Sequence, residues 1–370
     1  MRIFEVDENL ADLKKDIKQS VEKETDISLL KKVSSTLQSG TLLTRLSTIL
    51  KADPDASKIF NHLSKVIVQT EGTLEDKTRF VDNYSKGFIN ISKLLTLNKI
   101  QNLSDIITDP FALKIFNELN VITAQGIGPG ELALSVLSPN ITSIGSKSGG
   151  GDLVINSKHV ELKDSITSGG RWGDPRKAKL DMTSISRSLE KNYPELFAEL
   201  EESKASLTGP RWITVRDTYG PKSKQKAEVA DVIVKSTFKF VKDTSITDTL
   251  RKQIMSGSEP ELRKAWAVAI FENYKTYSNF ELMLCIRTTT QTSLCFSDYT
   301  QNINNVKVES IQLWGPEGSV SPKIDIVGTA KAGKAIATEP GAPSKPKDLS
   351  VTKTARKQQN PEPVKTRAKR

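Results

Sequence analysis

Apolar positions recur at helical spacing over the first third of the chain. Ile27, Leu30, Val33 and Leu37 share one face, Thr25-Asp26 precedes them and Gly40 follows, which predicts a capped helix, and Thr41 opens the next. Asp53-Pro54 and Asp109-Pro110 each set a capping carboxylate before a proline, whose missing N–H is harmless in a first helical turn. Between them Phe80, Tyr84, Phe88 and Leu94 continue the stripe, with a break expected near Gly87. Residues 1–122 therefore predict roughly four to six helices packed as a bundle. A further helix, from Phe111 to Ile122, ends at the glycine-bearing loop 124–130. A new stripe of Leu132, Leu134, Val136 and Leu137 then places Glu131 in the first turn of another helix.

The period then changes to two. A Ser/Gly-rich link, 139–151, leads to apolar runs at 153–155 and 160–162 around Asn156-Ser157-Lys158, a β-hairpin pattern. Residues 177–206 look helical and heavily charged, Arg211 to Arg216 looks like a strand, and Lys222, Lys224 and Lys226 form a basic turn. Glu259-Pro260 opens a helix through Trp266, Val268, Ile270 and Tyr274. Strands are expected at 280–286 and 293–296, separated by Thr288-Thr289-Thr290. With 311–314 and 323–327 they should complete the sheet that the first hairpin begins. The fold class expected is α/β.

Side chains alternate along a strand, so Glu161 and Lys163 share one face of the hairpin and Val160 and Leu162 the other. Asp152 opens the first strand, and a hairpin this short brings its carboxylate beside Glu161. Two carboxylates and one ammonium then stand within a few residues of space, a set that suits a divalent metal. Left in solvent, Glu161 and Lys163 would be no more than a surface pair worth about 0–1 kcal/mol.

Asp152 followed by Glu161-x-Lys163, with Glu131 on a preceding helix, resembles the PD-(D/E)xK superfamily of restriction-type endonucleases and resolvases. The resemblance covers about residues 123–164 firmly and the rest only by a compatible order of elements. The motif is short and degenerate, and Gly151 stands before Asp152 where many members have proline. The resemblance implies a restriction endonuclease-like core, a central mixed sheet flanked by helices, preceded here by the helical N-terminal region. It implies hydrolysis of DNA phosphodiester bonds with Mg²⁺ or Mn²⁺ held by Asp152 and Glu161 and by the Leu162 carbonyl. Lys163 would be the catalytic lysine, orienting or deprotonating water or stabilising phosphate charge, with its pKa lowered near the metal. Glu131 would be an accessory acid; read without the family, it complements its helix dipole.

Beyond the hairpin, Arg171 and Arg176 are candidates for phosphate contact. Trp172 is either a platform for a base or a core anchor. His159 reads as a solvated strand histidine. The glycine loop ahead of Glu131 lacks the Lys-Ser/Thr ending of a nucleotide P-loop.

Composition narrows the class. The 370 residues carry a net charge of +10, with 36% hydrophobic and 26% charged residues, two cysteines and two histidines. A zinc framework is not expected from so few Cys and His, and Cys285 and Cys295 read as buried thiols. No apolar run reaches transmembrane length and no secretory h-region leads the chain, so a cytoplasmic protein off the membrane is expected. Residues 331–370 hold eleven Lys/Arg against three acids, five prolines and no aromatic, and so carry eight of the ten net positive charges. Such a tail is expected to be disordered and to bind DNA through counterion release. The domains expected are thus 1–122, a core of 123–330 with a helical insertion around 177–258, and the tail. Cutting both strands calls for two sites and hence a homodimer. The composition suits a bacteriophage or mobile-element protein. The second reading is a nucleic-acid-associated structural or assembly protein, of a virion for instance, that keeps the fold without turnover.

Overall fold

Gly87 adopts φ +77°, and a Cβ there would lie 2.6 Å from Pro139 Cδ, so the first described helical stretch has to stop at this residue. The structure, a computed structural model, describes residues 66–67, 69–120, 128–144, 150–165, 170–173, 178–218, 223–309, 311–315 and 320–328. The helices expected after Thr25, Thr41 and Asp53, the loop 121–127, Arg176 and the basic tail lie outside the described residues.

Thr73 and Asp76 form a capping box at the start of α1 (Leu74–Asn83), and a 3₁₀ turn, Tyr84–Lys86, carries the chain to Gly87. The short α2 (Ile91–Leu94) leads to a strand that the helical pattern did not reveal, β1 (Ile100–Asn102), and to α3 (Leu103–Ile106). Asp109 accepts from the amides of Phe111 and Ala112 and starts α4 (Pro110–Leu119) as the Asp-Pro pair predicts. Then α5 (Pro129–Leu137) leads into β2 (Ile141–Ser143), β3 (Leu153–Ile155) and β4 (Lys158–Ser165). The turn between β3 and β4 has two residues, because Lys158 already pairs with Ile155. Asn156 and Ser157 both adopt positive φ, 48° and 62°, as a tight hairpin requires.

After β4 come β5 (Gly170–Arg171), α6 (Met182–Asn192), α7 (Pro194–Ser203), β6 (Leu207–Thr208), α8 (Gly209–Thr218), α9 (Ser223–Thr237), α10 (Thr244–Ser256) and α11 (Glu259–Ser278). The chain returns to the centre in β7 (Leu282–Arg287) and β8 (Thr292–Phe296), then adds β9 (Val306–Val308), β10 (Gln312–Trp314) and β11 (Lys323–Ile326).

The fold is mixed α/β around a six-stranded sheet ordered β1-β8-β7-β4-β3-β2. All its pairings are antiparallel except β4 with β7, which run parallel with Glu161 opposite Met283 and Lys163 opposite Cys285. A parallel pair needs a long crossover, and the helices α6 to α11 lie in it. Alternation sorts the sheet between two cores. Val160, Leu162, Leu282, Leu284 and Ile286 join Phe116, Leu132 and Leu137 on one face. Met283, Cys285, Leu294 and Phe296 join Trp212, Trp266 and Phe271 on the other. The central β7 is buried on both faces along nearly its whole length.

Two expectations are corrected. Residues 211–216 are helical, not extended: Gly209-Pro210 opens α8, and Trp212, Val215 and Arg216 are buried at helical spacing. Residues 312–314 and 323–326 do not complete the central sheet. Instead, β10 pairs with β6, and β11 pairs with β5 and β9 in a separate three-stranded sheet. Cys285 and Cys295 are free and buried, and they fall in the two different cores. Among the described residues no helix is long and apolar enough to cross a membrane.

Candidate functional site

The site is built at the start of the hairpin by a close backbone approach. Gly151 sits at φ +75°, and a Cβ there would lie 2.7 Å from the Val160 carbonyl oxygen, which leaves room for no side chain. Its amide donates to the Ser278 carbonyl at the end of α11, and the Asp152 amide donates to Val160 at 3.0 Å. With its backbone tied across the hairpin, Asp152 turns Oδ2 onto the Leu162 amide at 2.9 Å.

On β4, Glu161 and Lys163 point to the same face, as alternation predicts. That face is covered by α11 and not by water: Glu161 is 7% and Lys163 18% exposed at the side chain, with Nζ 2.6 Å from Glu161 Oε1. The solvent-exposed surface pair is therefore ruled out. A buried pair of this kind is costly to break, because either partner alone would be an uncompensated charge. Tyr274 of α11 donates its hydroxyl to the same Glu161 oxygen, and Lys163 Nζ lies 5.1 Å from the centre of the Tyr274 ring. Gly170 of β5 closes over the lysine stem, where a Cβ would lie 2.9 Å from Lys163 Cβ.

Glu131 sits at the third position of α5, where Oε1 accepts from the Gly128 amide at 2.9 Å in a capping arrangement, and Oε2 lies 3.5 Å from Ser143 Oγ. It feels the charges of Asp152 and Glu161. The helix-capping role and proximity to the other carboxylates thus coexist in one side chain.

Electrostatics follow from this crowding. Burial, reinforced by the negative charge of Glu161, pushes the Asp152 carboxyl up to about 6. Burial, reinforced by Asp152, pushes Glu131 up to about 7. Lys163 is opposed by burial, but the carboxylates of Glu161 and Asp152 outweigh it and hold the ammonium well above its ordinary range. These neighbours favour the ammonium form of Lys163. Burial likewise lifts the Tyr274 phenol far above its usual range, so it serves as a donor.

The negative charge of Glu161 opposes ionisation of Asp152, so the two carboxylates lie within electrostatic reach of each other. A cation between them would relieve that repulsion, so this pair fits a divalent ion chemically. Among the described residues no group of three or more His, Cys, Asp or Glu gathers closely enough to enclose a metal. Two carboxylates suffice for Mg²⁺, which keeps several of its waters.

The remaining candidates separate. Trp172 is fully buried, packed edge-on to Tyr299 at 4.8 Å and against Phe271 at 5.2 Å, with its indole N–H on Met283 sulfur at 3.0 Å. Its ring has no face left for a base, and the stacking role is withdrawn in favour of the core anchor. Arg171 is exposed, with Nη1 donating to the Ser321 carbonyl at 3.0 Å, and Arg176 lies outside the described residues. His159 is half-buried, with Nδ1 2.7 Å from the Gly150 carbonyl oxygen, so it is tied to the hairpin entry and is not free in solvent.

Sequence reasoning placed Tyr274 only in an apolar stripe. Its contact with Glu161 spans 113 positions and two elements, and nothing local in the chain signals it. The glycines at 151 and 170 stood in a recognisably small-residue context, but which backbone or stem they admit is a tertiary fact. Comparison of the chain with protein families, with curated proteins and with solved structures yields no match.

Proposed function

We propose that the protein is a metal-dependent endonuclease that hydrolyses DNA phosphodiester bonds, with a restriction endonuclease-like core. The observation that carries this reading is the convergence of Asp152, Glu161 and Lys163 at one buried point, with Glu131 within electrostatic reach. A structural hairpin has no physical need for a second buried carboxylate beside Glu161, whose charge opposes ionisation of Asp152. The order of elements adds support: helix α5, three antiparallel strands, then, after the insertion from β5 to α10, helix α11 and β7 parallel to β4. This is the helix, hairpin, helix and strand sequence that such a sandwiched sheet needs.

In this reading Asp152 and Glu161 hold Mg²⁺ or Mn²⁺. The bound ion supplies Lewis acidity toward the phosphate and lowers the pKa of a coordinated water. Lys163, kept as an ammonium, offsets charge that builds on the phosphate. Glu131 is the accessory acid at the rim, and Arg171 remains a phosphate contact. The tail of residues 331–370, with eight net positive charges, would hold DNA near the site without reading its sequence.

The second reading, a nucleic-acid-associated assembly protein with an inactive site, is favoured by one observation. Glu161 Oε1 is already engaged by both Lys163 and Tyr274, so the site is well satisfied with no metal bound. Incubation of supercoiled plasmid with Mg²⁺ or Mn²⁺ separates the two, with wild type beside Asp152→Ala and Lys163→Ala and DNA binding followed in parallel. Nicking or linearisation that both variants lose while still binding is the outcome expected of the nuclease. A wild type that binds across several substrate shapes and never cuts leaves the assembly reading in its place.

A further inference from the structure

We infer that Tyr274 is a positioning residue for the site, orienting the Glu161 carboxylate through its hydroxyl and the Lys163 ammonium through its ring. The inference rests on the reading of Asp152 and Glu161 as cation ligands and extends it to a helix far away in sequence.

The geometry is specific. The Tyr274 hydroxyl and Lys163 Nζ both donate to Oε1 of Glu161, the lysine at 2.6 Å. The same ammonium lies 5.1 Å from the Tyr274 ring centre, within reach of a cation–π attraction. Rotating the Glu161 carboxylate therefore breaks two hydrogen bonds, and moving Lys163 forfeits both its oxygen and its ring. Tyr274 is itself held firmly: it is 5% exposed, packed against Phe280 at 5.3 Å and Tyr277 at 5.4 Å. Residues of α11 one turn away fix the other half of the site, since the Ser278 carbonyl accepts from Gly151 beside Asp152. One helix thus sets the placement of both carboxylates relative to each other.

Tyrosine is the residue type suited to this place. It carries a donor at the far end of a rigid ring and offers a π face to a cation. Tyr274→Phe keeps the face and the packing and removes the donor. Groups that hold a metal ligand in this way commonly account for about 10- to 100-fold in metal affinity or activity.

The test measures Mn²⁺ binding by titration of the full chain with the metal alone, and plasmid cleavage resolved into kcat and KM. Tyr274→Phe is expected to weaken Mn²⁺ binding and lower kcat by about 10- to 100-fold, with KM for DNA unchanged. Tyr193→Phe, between α6 and α7, removes a buried hydroxyl that has no hydrogen-bond partner among the described residues and is expected to match wild type in both. In a Glu161→Gln background, Tyr274→Phe should have no further effect on Mn²⁺ binding, because its action passes through that carboxylate. A Tyr274→Phe protein that binds Mn²⁺ and cleaves like wild type overturns the inference. So does an effect that persists undiminished in the Glu161→Gln background, which would mark a merely structural loss. A wild type that neither binds Mn²⁺ nor cuts DNA removes the metal reading itself, a result distinct from either.

Discussion

At the scale of single residues, the site is held in a costly state by its surroundings. Asp152 and Glu131 are carboxyls whose protons are retained to about pH 6 and 7 in the fold. A carboxyl raised on folding contributes fully to stability below its unfolded pKa and loses that contribution as pH rises through its folded value. The loss for each group amounts to about 2–3 kcal/mol between roughly pH 4 and 7. Glu131→Gln is accordingly expected to be more stable than wild type near pH 8, by about 2 kcal/mol, and equal to it near pH 4. Urea unfolding at the two pH values checks this, and a difference that does not change with pH contradicts it. At Gly151 the prediction runs the other way. Gly151→Ala places a Cβ against the Val160 carbonyl at positive φ and is expected to cost about 1–3 kcal/mol. Because Asp152 follows directly, the same variant should bind Mn²⁺ more weakly than its stability loss alone explains, read by metal titration at a temperature where it remains folded.

At the scale of elements, local chemistry explains much of the structure. Asp109-Pro110 announces α4, and Ser258 and Glu261 close a capping box at the start of α11 with Pro260 in its first turn. Asn156 and Ser157 both sit in the left-handed region, where serine has a steric cost that glycine lacks. Ser157→Gly is expected to stabilise the protein by about 0.5–1 kcal/mol, seen as a higher thermal midpoint with the site unchanged. What the sequence left hidden shares one cause. Residues 100–102 are only a three-residue strand, too short for a period to emerge, and they become a strand by pairing with β8. Residues 211–216 alternate weakly, and burial of Trp212 and Val215 on one helical face decided the matter. The acid and base positions Asp152, Glu161 and Lys163 were legible because a hairpin is local, so alternation alone brings them together. Trp172 stayed open between two roles and Tyr274 was missed because burial across an interface is not written in either residue's neighbours.

At the scale of the whole molecule, the helices of residues 74–137 and the crossover helices cover opposite faces of one sheet, so the two cores stand or fall together through β7. The charge is distributed differently, with most of the net positive charge in residues 331–370. Removing those residues is expected to weaken DNA binding and flatten its dependence on salt, because fewer counterions are released. The binding constant measured over a series of salt concentrations tests this. An unchanged slope would place any DNA contacts within residues 1–330 instead.

The parallel pairing of β4 with β7 has a consequence for the order in which the molecule comes into being. The hairpin with Asp152, Glu161 and Lys163 leaves the ribosome well before Tyr274 and β7, which are more than a hundred residues further on. At ordinary elongation speeds of about 5–20 residues per second, that interval lasts on the order of 5–25 s. During it the acid and base groups exist without the helix that orients them. On the reading proposed above, the site is therefore completed only after most of the chain has been made.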